Sequence, residues 1–174
     1  MSKKTWTIRP LTPPVRPADR QAVLDLNTRA FKQKDEAKVV EQLEKDGDIW
    51  LEVVAESEGK IVGHILFFPI GVLGKLGAMG LGPMSVDPKF QRQGVGSQLI
   101  QFGLDEAKQA GVPIMFVLGH EKYYPKFGFS GEATKDFEST YKGPHFMAIR
   151  FRYGPPMSGK LLYPAAFETA PRGR

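Results

Sequence analysis

The sequence predicts an α/β (α+β) fold, a mixed and mostly antiparallel sheet flanked by helices. Three observations predict it. Two stretches of helical periodicity open the chain, β-branched and aromatic segments with turn signals fill the middle, and a strand–helix–strand unit runs from Met79 to Leu118.

Taken in order, Thr5 to Arg9 alternates apolar and polar residues and reads as a first strand ending at Pro10. A proline-rich connector leads to Pro17, a residue suited to the first turn of a helix. Ala22, Val23, Leu26 and Ala30 then recur at helical spacing through Phe31. A second helix takes Asp35 as its cap, carries Val39, Val40 and Leu43, and stops at Gly47. Ile49 to Ala55 and Lys60 to Ile70 form a hairpin around a turn at Glu56 to Gly59. A glycine-rich connection, Gly71 to Gly77, leads to the strand Met79 to Val86, which Asp87-Pro88 ends.

The clearest helix is Gly94 to Ala110, with Val95, Leu99, Phe102 and Ala110 inward and Gln98, Gln101, Asp105 and Lys108 toward water. Gly111 and Pro113 terminate it, and Ile114 to Leu118 is apolar throughout, as a strand buried on both faces should be. That crossover sets two strands parallel. A helical turn at Tyr123 to Phe127 and strands at Phe146 to Tyr153 and Lys160 to Tyr163 complete the reading. With no internal repeat and no linker, one domain over residues 1–174 is expected.

Composition narrows the function. Hydrophobic residues make up 41% and charged residues 25% of the 174, which excludes a disordered chain. The absence of cysteine excludes disulfides, thiolate nucleophiles and cysteine-based zinc sites, and fits a reducing compartment. His64, His120 and His145 lie scattered with no ligand spacing, so no metal is expected. Lys3 and Lys4 have no apolar run behind them, so no signal peptide is read. The longest apolar stretch, Ile61 to Leu73, is broken by His64 and Pro69 and falls short of the ~20 residues a bilayer needs. A cytoplasmic protein without a membrane partner is the expectation. The net charge of +5 attracts polyanions, but no like-charge run or stacking motif accompanies it, so nucleic acid is not an expected partner.

The most informative segment is Gln91-Arg92-Gln93-Gly94-Val95-Gly96-Ser97, between a strand and a helix N-terminus. The first helical turn has N–H groups without internal partners and a partial positive charge, and glycine lets the backbone approach an anion. This is a diphosphate site, to which Arg92 adds a charge-assisted bond. Gly-x4-Gly-Lys-Ser/Thr is absent, which removes the Walker loop. Leu99 stands where the third glycine of a dinucleotide fingerprint belongs, and no acid follows about 20 residues on. On the glycines alone, a tight strand-to-helix turn without a ligand is as good a reading.

The full context adds specificity. Pro83-Met84-Ser85-Val86-Asp87-Pro88 precedes the loop, and Tyr123-Tyr124-Pro125-Lys126-Phe127-Gly128-Phe129 follows the next strand. From the first helix to near Phe167 the chain resembles the GNAT superfamily of N-acetyltransferases, in particular a branch of small bacterial members. The resemblance implies helices on both faces of the sheet and a parallel pair of strands that splay apart in its middle. It implies acetyl-CoA as cosubstrate, a polyanion that the basic charge favours. The backbone of Met84, Ser85 and Val86 would then meet the pantetheine arm and thioester. Gln91, Arg92, Gln93, Gly94, Val95, Gly96 and Ser97 would form the phosphate loop, the amides from Gln93 to Ser97 taking the diphosphate.

Tyr124 matches the family's general acid, five residues before Phe129, with Tyr123 as the alternative and aromatic packing as the role of the other. The chemistry wants such a group, because a departing thiolate must collect a proton. The family often places a glutamate base on the strand before the loop, yet Gly80 to Val86 contains no acid. Glu52, His64 and Glu121 remain as bases, although His64 reads as a core histidine and Glu121 as a cap for the tyrosine turn. No cysteine and no Gly-x-Ser-x-Gly elbow suggest a covalent intermediate, so direct transfer to an amine is expected. The amine acceptor, a small molecule or a protein, would be presented by the first two helices and the loops around Thr134 to Pro144. A homodimer through the edge at Phe146 to Tyr153 is a further expectation. A non-catalytic acetyl-CoA sensor or partner module is the alternative reading.

Overall fold

In the computed structural model, which describes residues 2–168, the expected elements appear in the expected order. Residues 1 and 169–174 of the expected domain span lie outside the described residues. Strand β1 (Thr7–Pro10) leads to α1 (Pro17–Phe31), which has Pro17 in its first turn and ends at Lys32 in the left-handed region, φ 57°. Helix α2 (Asp35–Asp46) buries Val39, Val40 and Leu43 as read from the sequence. Its stop is Gly47, φ 72°, whose N–H returns to the carbonyls of Glu44 and Leu43. Asp35 is not the cap: it is the first helical residue, and Lys34 before it makes no side-chain capping bond.

Strands β2 (Leu51–Ser57) and β3 (Lys60–Val72) pair antiparallel from Leu51–Phe67 to Ser57–Lys60. The turn between them is only Glu58–Gly59, both at positive φ (49° and 74°), as the right-handed twist of a two-residue hairpin requires. The glycine-rich stretch was expected as a connection, and that is corrected. Strand β3 continues to Val72, the turn is Leu73–Gly74 (φ 53° and 73°), and β4 (Lys75–Val86) starts directly after it. Helix α3 (Val95–Gln109) and β5 (Ile114–Leu118) follow, then β6 (Phe137–Glu138), β7 (Phe146–Arg150) and β8 (Gly159–Leu162). On α3, Gln98, Gln101, Asp105 and Lys108 are exposed as expected and Ile100, Leu104 and Ala107 join Val95 and Leu99 on the buried side, but Phe102 is half-buried and Ala110, just past the helix, is exposed.

The chain forms two compact units. One comprises the segments up to Phe67 and from Pro83 to Gly103, the other Phe68 to Gly82 and everything from Leu104; β3, β4 and α3 each run through both. In the first, β1, β2 and β3 make an antiparallel ladder, and the Asp87 N–H bonds the Val62 carbonyl (2.8 Å). In the second, β4 pairs parallel with β5 over Met79–Met115, Gly80–Phe116 and Leu81–Val117, and β5 pairs antiparallel with β7. There β8 pairs antiparallel with β3 and parallel with β6. This is the mixed, mostly antiparallel sheet that the sequence predicted, with β4–β5 as the expected parallel pair and β6–β8 as a second, two-residue one. The edge expected over Phe146 to Tyr153 is shorter and less open than foreseen. Strand β7 stops at Arg150, and Ala148 exchanges two 2.9 Å backbone bonds with Ser130.

Helices cover both faces of β3 within the first unit. A Cβ built on Gly63 would lie 2.7 Å from Val95 and 3.1 Å from Leu99 of α3, whereas the next residue, His64, meets Asn27 of α1. Adjacent strand residues point oppositely, so α1 and α3 are on opposite faces. Further along α3, a Cβ on Gly103 would lie 1.9 Å from the Phe67 ring. Alanine normally gains about 1 kcal/mol over glycine in a helix. Here a buried ring has nowhere to go, and overpacking costs about 1–3 kcal/mol. The expected result for Gly103→Ala is therefore a net loss, read in a thermal melt as a Tm lower by a few degrees, roughly 2–4 °C per kcal/mol at this size.

Candidate active site

In the first unit, β4 ends in a cap. Asp87 Oδ1 accepts from the Lys89 N–H (2.9 Å) and Oδ2 from the Arg29 guanidinium (2.9 Å). Burial pushes this carboxyl up, but the Lys89 amide and the Arg29 charge outweigh it and hold the pKa below the usual carboxylate value. The Phe90 N–H closes the turn onto the Asp87 carbonyl at 2.7 Å. The loop then reverses through Arg92 at φ 61° and Gly94 at φ 101°. A left-handed non-glycine residue costs about 1–3 kcal/mol and persists only where its surroundings fix it. Two glutamines help to fix it: Gln91 donates to the Val86 carbonyl and Gln93 to the Lys89 carbonyl, both at 3.1 Å. Their side chains thus brace the loop.

Helix α3 begins where the loop ends. The Gln98 N–H bonds back to the Gly94 carbonyl at 3.1 Å, and no carboxylate stands in the first turn. Gln91, Arg92, Gln93 and Gly94 are exposed, and a Cβ at Gly94 would meet nothing within 4 Å. A left-handed residue before a helix N-terminus turns successive amides into an anion-binding concavity. The residues present therefore fit a diphosphate. The segment before β1 is fastened to this loop. Lys4 bonds the Lys89 carbonyl and lies over the Phe90 ring, while the Trp6 indole donates to Gln98 (2.9 Å) and meets Phe90 edge-on at 6.5 Å.

On β4, Met84 and Val86 are half-buried and Ser85 is buried, its Oγ without a hydrogen-bond partner. Two of the expected bases are also buried. Glu52 takes Arg20 of α1 at 2.9 Å and faces His64 Nε2 at 3.6 Å, and Asn27 of α1 donates to both the Val23 carbonyl and His64 Nδ1. Arg20 reaches Glu44 of α2 at 2.7 Å as well. Burial raises the Glu52 carboxyl, yet His64 and Arg20 outweigh burial and lower its pKa. A carboxylate held this way, 2% exposed, binds α1 to the sheet and is poorly placed to take a proton from a substrate.

The second unit holds the tyrosines. After β5, a turn at Tyr124–Phe127 ends at Gly128, φ 102°. Tyr124 is buried, packed edge-on against Phe129 (5.6 Å) and Tyr123 (5.3 Å), whereas Tyr123 also carries the Lys126 ammonium over its ring. Burial, and then Tyr123, push the Tyr124 phenol well above its ordinary value, so it holds its proton at neutral pH. Glu121 is exposed on this turn. The β4–β5 ladder has its last rung at Leu81–Val117, although β4 runs on to Val86. Beyond the rung stand Gly82, at φ 137° with open space where a Cβ would be, and Leu118, the last residue of β5, with Gly119 just past it.

The structure also joins residues that spacing left apart. The Gly119 N–H bonds the His145 carbonyl (2.9 Å), and the His120 and His145 rings meet edge-on at 6.3 Å. The signal was the β5–β7 pairing, which no local pattern reveals. Among the described residues there is no group of three or more His, Cys, Asp or Glu that could hold a metal, and no helix long and apolar enough to cross a membrane.

A braced, left-handed loop at the start of a helix fits the diphosphate that an acyl-CoA carries. The chain belongs to the acetyltransferase (GNAT) family, whose model matches residues 20–129. Among its relatives is the N-acetyltransferase YhbS of Escherichia coli K12, 35% identical over 129 residues, 73% of this chain and 77% of that protein. YjhQ of the same strain is 38% identical over 133 residues, 73% and 74% of the two chains. The crystal structure of E. coli YhbS in complex with CoA superposes with a TM-score of 0.86 at 29% identity, covering 97% of this chain and 94% of that one. A GNAT acetyltransferase of Brucella melitensis in complex with acetyl-CoA gives 0.78 at 32% identity, covering 95% and 99%.

Proposed function

We propose that this chain, acting as one functional domain, transfers the acetyl group of acetyl-CoA directly to an amine within a ternary complex. The observation that carries the reading is the loop of Arg92 and Gly94 leading into α3, exposed, free of acids in the first helical turn and braced from beneath. The relatives crystallised with CoA and acetyl-CoA support the same cosubstrate. In this reading the amides from Gln93 to Ser97 hold the diphosphate, the backbone of Met84 to Val86 meets the pantetheine arm and thioester, and Tyr124 gives its proton to the departing thiolate. The acceptor enters beside α1, α2 and the loops around Thr134 to Pro144. A non-catalytic acetyl-CoA-binding module is the second reading, favoured by the lack of any acid from Gly80 to Val86.

The test is thiol release from acetyl-CoA across polyamines, amino acids, aminoglycosides, lysine peptides and peptide N-termini. Turnover with one amine class is the expected outcome. Binding of acetyl-CoA by calorimetry, with no release for any amine, would favour the non-catalytic module. No binding at all would overturn the phosphate-loop assignment.

A further inference from the structure

A direct transfer needs a proton acceptor, because an alkyl ammonium cannot attack a carbonyl until it loses a proton. Glu52 and His64 are spent on α1. We propose that His145 is this general base. The proposal rests on the acetyl-transfer reading and adds to it the group that activates the amine.

Two contacts carry the argument. His145 Nδ1 lies 3.2 Å from the Gly119 carbonyl oxygen. A carbonyl only accepts, so Nδ1 bears the hydrogen and the neutral ring keeps its lone pair on Nε2. The backbone thereby fixes both the tautomer and the orientation that a base requires. Gly119 also supports Tyr124, since a Cβ built there would lie 2.3 Å from the phenol ring. One glycine, two residues past the last β4–β5 rung, thus holds the imidazole through its carbonyl and the proposed acid through its Cα.

The surroundings suit the task. His145 is half-buried, immediately before β7 and just after the loop that the acceptor is proposed to use. The His120 ring faces it from the chain beyond β5. The Tyr124 ring lies against Gly119, and Glu121 and Lys122 are exposed just before its turn. No salt bridge to either histidine is present among the described residues.

The step balances. An N–H bond of the ammonium breaks and the proton goes to Nε2. The freed nitrogen pair attacks the thioester carbonyl, the C–S bond breaks with its electrons on sulfur, and the Tyr124 hydroxyl supplies the sulfur's proton. The nitrogen, which carries one proton more than an amide can keep, gives it up to the Tyr124 phenolate as the amide forms. The imidazolium releases its proton to solvent, so both groups return to their starting states and one proton is liberated per turnover.

The discriminating variant is His145→Asn, whose side-chain amide can still donate to the Gly119 carbonyl but offers no basic nitrogen. The experiment measures kcat, KM and the pH profile of kcat/KM for wild type, His145→Asn, His145→Gln and His120→Gln, with acetyl-CoA affinity by calorimetry and melting temperature for each. The expected result is a ~10²–10⁴-fold lower kcat in both His145 variants. It comes with unchanged acetyl-CoA affinity, loss of the acid-side limb of the pH profile, and partial recovery with added imidazole. His120→Gln keeps the limb. Wild-type activity and pH profile in His145→Asn would overturn the proposal and leave the imidazole a structural prop. Loss of activity together with cofactor affinity or folding in His145→Asn would overturn it equally. Absence of turnover in wild type would instead reject the acetyl-transfer reading beneath it.

Discussion

Tyr124→Phe will lower kcat by about 10²–10⁴-fold while acetyl-CoA binding and the fold stay as they are. The ring does the packing, against Gly119, Tyr123 and Phe129, and phenylalanine keeps all of it. The hydroxyl is the part that is lost. A group needed only as the C–S bond breaks affects kcat and kcat/KM together and leaves ground-state affinity alone. Burial holds the phenol protonated, the state an acid must be in, yet makes donation to a thiolate uphill. In the proposed mechanism, donation keeps step with cleavage of the C–S bond and is followed by rapid return of a proton. Tyr123→Phe is the control. Its ring contacts with Phe127 and Lys126 survive the change, and kcat should stay within a factor of about two. A fall in Tyr123→Phe with an active Tyr124→Phe would exchange the two roles.

The second large effect is on stability. Glu52→Ala leaves Arg20, 11% exposed, with Glu44 as its remaining carboxylate and leaves His64 facing a cavity. Removing one partner of a buried ion pair costs about 3–5 kcal/mol. The retained Glu44 contact puts the expected loss near the lower end, about 3 kcal/mol, read by urea denaturation at neutral pH. The sign of the pH dependence follows from the depressed pKa of Glu52. Its contribution is fully present above the unfolded carboxyl value, ~4.3, and is lost as pH falls through the lower folded value. Glu52→Gln should therefore flatten the decline in stability below about pH 4.3. An unchanged acid limb would mean that Asp19 and Asp87, also depressed, carry it instead.

Most of the fold was legible because its long elements carry strong local signals. Pro17, Gly47 and the apolar run Ile114 to Leu118 marked boundaries within a residue or so of those observed. The glycines at 71–77 misled because composition alone reads them as a loop. In the structure Gly77 and Gly80 are strand residues, the first beside Pro156 and the second beneath the Phe68 ring, where a Cβ would lie 2.2 Å away. Small residues can mark close packing as well as turns. The two-residue strand Phe137–Glu138 has no periodicity to detect, and its pairing with Gly159–Lys160 is set at a distance. The site divides in the same way. The proposed phosphate loop is a contiguous motif that spacing alone can nominate, whereas Glu52 read as a candidate base because its pairing with Arg20 of α1 is set at a distance. His120 and His145 are brought together only by the Leu118–Phe146 rung.

The fastening of Trp6 to the loop has an optical consequence. The chain has two tryptophans, and Trp50 is engaged elsewhere, edge-on to Phe67 at 6.4 Å. Trp6 shares a hydrogen bond with the first turn of α3 and a ring contact with the loop. Its emission therefore samples the electric field at the spot where a polyanion is proposed to arrive. With Trp50→Phe, a single fluorophore native to the chain would time cofactor arrival in a stopped-flow trace, with no label and no acceptor amine required.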